Sequence, residues 1–165
     1  MIIRPASLAD LPSITEIHNY YVENTHITFD VRAFTSEQRV PWFHEHSDGR
    51  RRRVLVAEDD GKILGYTATG SFRPKEAYET TVEVSVACSP GSTAKGIGSQ
   101  LYRELFSLLE KEDVHRVVAG IAQPNAASNA LHERFGFNQI GAFTEVGRKF
   151  GKYWDVLWLE KTMPS

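Results

Sequence analysis

The chain has a single cysteine, Cys88, and no long apolar run. One cysteine forms neither an internal disulfide nor a cysteine metal cluster, so a disulfide-stabilised secreted fold and a thiolate zinc site are both unexpected. No window reaches the roughly 18 apolar residues that span a bilayer. The opening segment MIIRPASLADL also lacks the apolar core of a signal peptide. We therefore expect a cytoplasmic protein without a membrane partner.

An excess of positive charge is also absent. The 19 Lys and Arg residues are balanced by 21 Asp and Glu residues, which gives a formal net charge of -2. A chain with this balance has no global positive field for nucleic acid, so no nucleic-acid partner is predicted. The one basic cluster, residues 50–53, follows Asp48-Gly49 and is interpreted as a solvated turn. A phosphate or partner contact is the alternative.

The remaining composition is that of an ordinary globular domain. Hydrophobic residues make up 41% of the 165 residues and charged residues 24%, without low-complexity segments, repeats or a linker. A chain of this length buries about two-thirds of the surface that its unfolded form exposes. We therefore expect residues 1–165 to form one domain.

Hydrophobic periodicity predicts the order strand, helix, helix, three strands, helix, strand, helix, two strands. Ser7 and the box Thr35-x-x-Gln38 mark two helix starts, and Pro41 is expected to kink the second helix. Two apolar runs joined at Asp59-Asp60-Gly61 predict a hairpin. The expected fold is α/β of the α+β kind, with a mostly antiparallel, mixed twisted sheet of about seven strands flanked by about four helices.

A glycine loop runs into a leucine-rich helix in GSTAKGIGSQLYRELFSLLEKE, residues 91–112. It is no P-loop, because no glycine is followed by Lys and then Ser or Thr, and Leu101 stands where a dinucleotide fingerprint needs a small residue. Backbone N–H groups near residues 93–98 would still form an anion site at the helix N-terminus. Gly96 and Gly98 permit close approach and Lys95 adds a cation, although a simple turn is the alternative for the loop alone.

Two motifs give this loop a context. The segment VSVACSPGSTAKGIGSQL and the later segment AQPNAASNALHERFGF resemble the Q/R-x-x-G-x-G/A loop and the N-x-x-S-x-x-L-[YH]-x-x-x-G-F segment of the GNAT superfamily of N-acetyltransferases. The segments HNYYVENTHITFD, SFRPKEAYETTVEVSV and GRKFGKYWDVLWLEK resemble its branch of phosphinothricin and methionine sulfone or sulfoximine acetyltransferases. The chain departs from the family loop at Thr93, where Arg or Gln is usual, and at Ala94, where Gly is common. Because the loop binds through backbone N–H groups, we expect a modest loss of coenzyme affinity.

The resemblance implies acetyl-CoA as co-substrate and no metal. The pantetheine arm would pair with the strand before the loop, whose backbone could also supply the oxyanion donor, and the pyrophosphate would bind the loop itself. Asn125 and Ser128 match positions that contact the rest of the coenzyme, with a helix-capping turn as the alternative. The implied cofactor-binding residues are Val84, Ser85, Val86, Ala87, Thr93, Ala94, Lys95, Gly96, Ile97, Gly98, Asn125 and Ser128.

Acetyl transfer to an amine needs a base for the ammonium and a proton for the departing thiolate. Glu83 interrupts the apolar alternation of TTVEVSVA, so it is either paired structurally or held as a base with a raised pKa. The resemblance favours the base, acting directly or through a water. It also places His132 where many relatives carry a Tyr general acid. His132 is therefore predicted to exchange a proton beside the substrate, with packing as the alternative.

The segment FRPKEAY is predicted to select the acceptor. Arg73 and Lys75 could reach one anion and Tyr78 adds a hydroxyl, which suits an amino acid with a phosphinate, sulfone or sulfoximine head. Solvated loop charges are the alternative. Phe29 matches an aromatic residue that lines the acceptor pocket in relatives, and is otherwise a core residue. With Glu83, these residues form the predicted substrate site.

The resemblance thus implies a homodimeric enzyme that acetylates the α-amine of a small acidic amino-acid analogue, by direct transfer with general-base assistance. One alternative is an acetyltransferase for protein N-termini or another small amine, which would need an open groove. Another is a non-catalytic acyl-CoA-binding sensor, which would keep the loop but lose its acid–base pair. The presence of both Glu83 and His132 argues against the sensor.

Overall fold

The structure, a computed structural model, describes residues 1–92 and 94–164. These residues form a seven-stranded sheet in the order β1-β2-β3-β4-β5-β7-β6, flanked by four α-helices. The strands are β1 (Ile2–Pro5), β2 (Val54–Asp59), β3 (Lys62–Ser71), β4 (Thr81–Cys88), β5 (Arg116–Ala122), β6 (Asn138–Lys149) and β7 (Lys152–Thr162). The helices are α1 (Leu11–Asn24), α2 (Val40–Glu45), α3 (Ile97–Leu109) and α4 (Ala126–Arg134).

The order of strands and helices is the one predicted from periodicity. Every pair of neighbouring strands is antiparallel except β4 and β5, which run parallel because α3 forms the crossover between them. The predicted α/β fold with a mostly antiparallel mixed sheet is therefore confirmed. In the described part of the chain, no helix is both long and apolar enough to cross a bilayer.

Local signals account for most element boundaries. The Thr35 N–H donates to Gln38 Oε1 at 2.9 Å and the Gln38 N–H donates to Thr35 Oγ1 at 3.2 Å, which is the predicted capping box. The predicted kink at Pro41 is wrong. Pro41 lies in the first turn of α2, after a short 3₁₀ turn at Glu37–Arg39, and a proline there interrupts no helical hydrogen bond.

The predicted hairpin between β2 and β3 is also present. Asp60 and Gly61 both have positive φ, at 48° and 74°, as a tight turn between twisted strands requires. Strand β6 is longer than the apolar run NQIGAF predicted, because its pairing with β7 continues past an irregularity after Phe143. Pairing between strands, rather than local pattern, sets the length of β6.

Two hydrophobic clusters cover opposite faces of the sheet. On one face, α3 buries Leu101 and Leu105 against β4 and β5, and on the other α1 buries Ile14 against β2 and β3. Burying each such side chain stabilises the fold by about 1.5–3 kcal/mol relative to exposure. Val84 belongs to the α3 cluster and Ala87 packs against the α1 cluster. Successive residues of β4 therefore reach opposite sides of the sheet.

Strands β4 and β5 pair only at their beginnings. Thr81–Glu83 pairs with residues 116–118, and beyond this point β4 stays paired with β3 while β5 stays paired with β7. The sheet therefore opens as a V between residues 84–88 and 119–122. Within the described ranges these two edges have no strand partner, so their backbone N–H and C=O groups are available to a ligand.

Candidate active site

The V between β4 and β5 leads into a cavity on each side of the sheet. The cavity beside α3, here called the α3-side cleft, has a volume of about 340 Å³, and the one beside α1, the α1-side cavity, about 400 Å³. Seven residues border both cavities, so the two cavities meet at the opening of the V. Molecules that enter from opposite sides of the sheet can therefore meet there. The shared residues are Tyr21, Ile27, Ser85, Val86, Ala87, Gly120 and Ala122.

The α3-side cleft collects most of the predicted cofactor-binding residues. Ile97 is 3% exposed and packs into the α3 cluster, while Ala94, Lys95 and Gly96 lie at the start of α3 outside the cleft lining. Thr93 lies outside the described residues. The predicted residues that line the cleft are Val84, Ser85, Val86, Ala87, Gly98, Asn125 and Ser128.

Glycine has a physical role at the start of α3. Gly96 is the N-cap with a φ of 78°, in the left-handed region that glycine tolerates best. A Cβ at Gly98 would lie 3.2 Å from Leu131 Cδ2, so glycine lets α4 pack closely on this turn. N–H groups in the first turn of a helix have no helical acceptor and carry partial positive charge. These features suit phosphate oxygens of a ligand in the cleft.

Asn125 caps a helix and lies at the wall of the α3-side cleft. Its side-chain Oδ1 accepts a hydrogen bond of 3.2 Å from the Ser128 N–H, so Asn125 caps α4. Both residues also line the α3-side cleft. The helix-capping alternative therefore describes a real contact, and it keeps Asn125 at the cleft wall.

His132 is buried on the α3 side with both ring nitrogens engaged. Nδ1 lies 2.7 Å from the Ser128 carbonyl, and because a carbonyl only accepts, Nδ1 carries the proton. Nε2 then accepts from the Tyr102 hydroxyl at 2.8 Å. Burial lowers the pKa of His132, partly offset by the carbonyl contact. These contacts favour packing for a neutral ring, and proton exchange by His132 stays a prediction.

Glu83 lines the α1-side cavity, on the opposite side of the sheet from the α3 cluster. Burial raises the pKa of its half-buried carboxyl, and the positive charge of Arg73 lowers it by a smaller amount. Among residues 1–92 and 94–164, no group forms a hydrogen bond or ion pair with this carboxylate. An unpaired carboxylate with a raised pKa beside a cavity is suited to accept a proton.

Phe29 borders the same cavity, as predicted from the resemblance. A Cβ at Gly147 would overlap its ring, so the ring lies directly on the backbone of β6. Several other residues of this wall are not predicted from the sequence, because they belong to helices and strands that are far apart from one another in the chain. The missed polar and aromatic residues are His18, Arg39, Trp42, Tyr66 and Trp158.

The other predicted substrate residues lie elsewhere. Arg73, Lys75 and Tyr78 share a surface depression of about 440 Å³ that Glu83 does not line. Arg73 lies 4.7 Å over the Phe72 ring and borders a further depression that shares Trp158 with the α1-side cavity. The structure thus brings Arg73 near Glu83, but it does not bring Lys75 or Tyr78 into the α1-side cavity.

A metal-ligand cluster was not predicted. In the part of the chain that the structure describes, no group of three or more His, Cys, Asp or Glu side chains is arranged to hold a metal ion. The polar groups at the V are instead one carboxylate and several hydrogen-bond donors.

Sequence comparison identifies the family. Residues 3–158 match the acetyltransferase (GNAT) domain. The chain belongs to the GNAT family. Over 163 residues, 98% of this chain and 95% of the relative, it is 49% identical to the phosphinothricin N-acetyltransferase of Streptomyces coelicolor. It is 38% identical to the L-methionine sulfoximine/L-methionine sulfone acetyltransferase of Pseudomonas paraeruginosa, over 96% of this chain and 92% of the relative.

Solved GNAT structures share the whole architecture. The ribosomal-protein-alanine N-acetyltransferase from Brucella melitensis superposes with a TM-score of 0.92 at 39% identity, covering 98% of this chain and 99% of that chain. The phosphinothricin acetyltransferase from Sinorhizobium meliloti, in complex with AcCoA, superposes with a TM-score of 0.90 at 30% identity, covering 98% and 88%. The predicted fold, family and class of enzyme, an acetyltransferase, are confirmed.

Proposed function

We propose that this GNAT enzyme transfers the acetyl group of acetyl-CoA directly to the α-amine of a small acidic amino-acid analogue, with Glu83 as general base. The observation that carries the proposal is the unpaired, half-buried Glu83 carboxyl with its raised pKa beside the V. The names of the Streptomyces and Pseudomonas relatives support the acceptor class. The Sinorhizobium complex supports acetyl-CoA as co-substrate.

The α3-side cleft fits the chemistry of acetyl-CoA, which supplies a thioester acetyl group when bound. Residues 84–87 would offer N–H and C=O groups to the amides of the pantetheine arm, because this edge of β4 has no strand partner among the described residues. The first turn of α3 would hold the phosphates, because N–H groups of a first turn have no helical acceptor and Gly96, with nothing within 4 Å of its Cβ position, adds no side chain in front of them. Asn125 and Ser128 would border the same ligand.

The protein would contribute Glu83 as a proton acceptor and the backbone N–H groups of residues 84–87 as hydrogen-bond donors. Glu83 accepts the proton of the substrate ammonium, directly or through a water, and so supplies the free amine that can attack. The N–C bond would form as the C–S bond of the thioester breaks, and CoA would leave as the thiol after its thiolate takes up the second proton lost by the nitrogen. Backbone N–H groups of residues 84–87 stabilise the negative charge that develops on the reacting oxygen. A partly desolvated site strengthens both effects, because electrostatic interactions grow as the local dielectric falls.

The proposal also covers the predicted surroundings of the site. We propose a cytoplasmic homodimer, with Arg73, Lys75 and Tyr78 close to the acceptor when the dimer is assembled. The support for the dimer is a group of exposed apolar side chains on β6, namely Ile140, Phe143 and Val146. Arg73 has the additional support that its charge lowers the pKa of Glu83.

Acetylation of protein N-termini is a second candidate, favoured by the name of the Brucella structure at 39% identity. A peptide substrate extends well beyond its amine, so it needs an open groove. The α1-side cavity, at about 400 Å³, has instead the size of small-molecule sites and is lined by side chains from α1, β3, β4 and β7. The cavity therefore supports a small acceptor.

A thiol-release assay with acetyl-CoA tests the proposal. The panel contains phosphinothricin, methionine sulfone, methionine sulfoximine, a neutral primary amine and a peptide with N-terminal alanine. We expect the acidic amino-acid analogues to have the highest kcat/KM. Preference for the peptide would establish the second candidate. Tight acetyl-CoA binding without transfer to any amine would establish a sensor.

A further inference from the structure

The α1-side cavity contains a buried cation that the chemistry above does not use. Arg39 lines the cavity, is only 5% exposed, and its Nη1 is buried without a hydrogen-bond partner. None of the ion pairs formed by the described residues includes Arg39. The guanidinium lies 4.0 Å over the Trp42 ring, which compensates a buried charge only in part.

The neighbouring acidic group does not complete this site. The pKa of Asp30 is lowered chiefly by its contact with His18, whose Nε2 lies 2.8 Å from Asp30 Oδ2, and the charge of Arg39 adds only a smaller contribution. Burying a cation without a paired anion is costly, because the protein interior replaces hydration poorly. A protein that keeps such a group at the wall of a cavity gains from an anion that arrives with a ligand.

A second buried donor on the same wall has no acceptor. The indole Nε1 of Trp158 is buried without a hydrogen-bond partner, and Trp158 lines the α1-side cavity. Gly120 lets this ring lie on β5, since a Cβ there would be 3.0 Å from the Trp158 ring. The neutral Tyr66 hydroxyl also contacts Arg39, but within the described residues Arg39 Nη1 and Trp158 Nε1 remain donors without a partner, and Glu83 remains an acceptor without one.

This arrangement matches the charges of an amino acid. Glu83 suits an ammonium group, and Arg39 suits an oxyanion, for which the planar guanidinium is well shaped. We propose that Arg39 is a specificity-determining residue that binds an oxyanion of the acceptor, either its α-carboxylate or an anionic side-chain head. This assignment rests on the proposed function and differs from the prediction that Arg73 and Lys75 provide the anion site.

The test compares Arg39→Met with the wild type on two pairs of acceptors. Methionine sulfone and its α-carboxamide differ only in the carboxylate, whereas phosphinothricin and its α-carboxamide both keep the phosphinate. We expect Arg39→Met to raise KM for the acids by about 10- to 100-fold, the usual effect of losing a charged hydrogen bond. KM for acetyl-CoA should stay unchanged.

The carboxamides identify which oxyanion Arg39 binds. If it is the α-carboxylate, the variant should leave KM for both carboxamides unchanged. If it is the side-chain head, KM should rise for phosphinothricin and its carboxamide alike. An equal change for the anionic acceptors and for a neutral amine would overturn the proposal.

Arg73→Met is the matched variant. Because the charge of Arg73 lowers the pKa of Glu83, its loss should move the pH profile of kcat/KM to higher pH. If the anion-specific rise in KM appears in Arg73→Met and not in Arg39→Met, the anion binds where the sequence predicted and the present assignment is wrong. Absence of transfer by the wild type to every amine would instead refute the proposed function.

If Arg39→Met does not fold, Arg39→Lys and the wild type still test whether Arg39 binds an oxyanion. Arg39→Lys keeps the cation in the cavity and should retain an affinity for acids between those of the wild type and Arg39→Met. In the wild type itself, replacing the relevant oxyanion by an amide should raise KM at least about 10-fold. Wild-type KM values that are equal for phosphinothricin, its α-carboxamide and its uncharged phosphinate methyl ester would overturn the proposal without any variant, because neither oxyanion would then contribute to binding.

Discussion

Burial favours the neutral form of two side chains close to the V, Glu83 and His132, but their surroundings differ. Burial raises the pKa of Glu83 and lowers that of His132, so both are shifted toward the neutral form. His132 is held by the Ser128 carbonyl and the Tyr102 hydroxyl, whereas Glu83 has no such contact within the described residues. Glu83 therefore has no hydrogen-bond partner that competes with a substrate among the described residues, whereas His132 has two partners.

Glu83→Gln should remove the base while preserving shape. We expect kcat to fall by about 10²- to 10⁴-fold near pH 7, with unchanged affinity for acetyl-CoA. The loss should shrink toward pH 9.5, where the substrate amine loses its proton without help. Steady-state kinetics between pH 6.5 and 9.5 measures this. If Glu83→Gln keeps the wild-type kcat at pH 7, Glu83 is not the base and has a structural role.

The buried, neutral state of His132 predicts a pH dependence of stability. Its pKa in the fold is below the unfolded value of about 6.5, so the unfolded chain binds more protons as the pH falls below 6.5. Stability should therefore decrease from pH 6.5 downward, by at most about 1.4 kcal/mol per pH unit for this group. In urea unfolding, His132→Leu should show a shallower decrease.

The same variant tests the predicted proton exchange. If His132 exchanges a proton as predicted, kcat of a folded His132→Leu enzyme should fall by about 10²-fold or more at pH 8; if the ring only packs, kcat should remain within a few-fold of the wild type. His46 is half-buried and burial also lowers its pKa, so His46→Leu is the control for the change in slope. A large loss of kcat in a folded His132→Leu enzyme would support the proton-exchange role.

At the scale of elements, the site is made by the junction of β4, its loop and α3. β4 leaves β5 after Glu83, and α3 begins beyond the strand end with Gly96 in a left-handed conformation. The bare strand edge and the open helix N-terminus therefore border the same cleft. For the proposed coenzyme, their combination would provide amide pairing and phosphate binding within one ligand site.

Asp substitutions at the start of α3 test this junction. Gly96→Asp should abolish acetyl-CoA binding in calorimetry, since it adds a side chain and a negative charge where phosphates would bind; Gly98→Asp should do the same, and its side chain would also press on Leu131 of α4. Gly61→Asp is the matched control for Gly96→Asp, because both glycines have φ near 75° and open surroundings: 74° and 78°, with nothing within 4 Å. Gly96→Asp and Gly61→Asp should each lower the free energy of unfolding by about 1 kcal/mol, but only Gly96→Asp should lose acetyl-CoA binding.

At the scale of the molecule, strand β6 stands out at the edge of the sheet. Ile140, Phe143 and Val146 are exposed by 56%, 58% and 56%, although they belong to a long paired strand. Exposed apolar residues along an edge strand are a typical site of association between chains. This surface is the physical support for the proposed homodimer.

Sedimentation at micromolar concentration should show a dimer. Replacing both Ile140 and Phe143 by Asp should shift the protein toward monomer, because two charges would be buried in the interface. Glu104→Lys on the exposed part of α3 is a control that changes charge outside this surface. A wild-type monomer at these concentrations would contradict the prediction.

Local signals in the sequence determined the elements and one side of the site. The capping box at Thr35 and the turn at Asp60-Gly61 act between neighbours in the chain, so their residue types predict their structures. The glycine loop and Glu83 were identifiable for the same reason, since both interrupt a local pattern. The Pro41 kink failed because a short 3₁₀ turn ends before that residue and a new helix begins.

The acceptor side of the site was decided only by tertiary structure. Arg39, Glu83 and Trp158 belong to a turn before α2, to β4 and to β7, and they meet at one cavity, with β5 next to β4 and β7 next to β5 in the sheet. Nothing local distinguishes Arg39 from a solvated arginine, whereas packing makes it a buried cation without an ion-pair partner among the described residues. Periodicity encodes which face of an element is buried, but the order of strands decides which distant residues share a cavity.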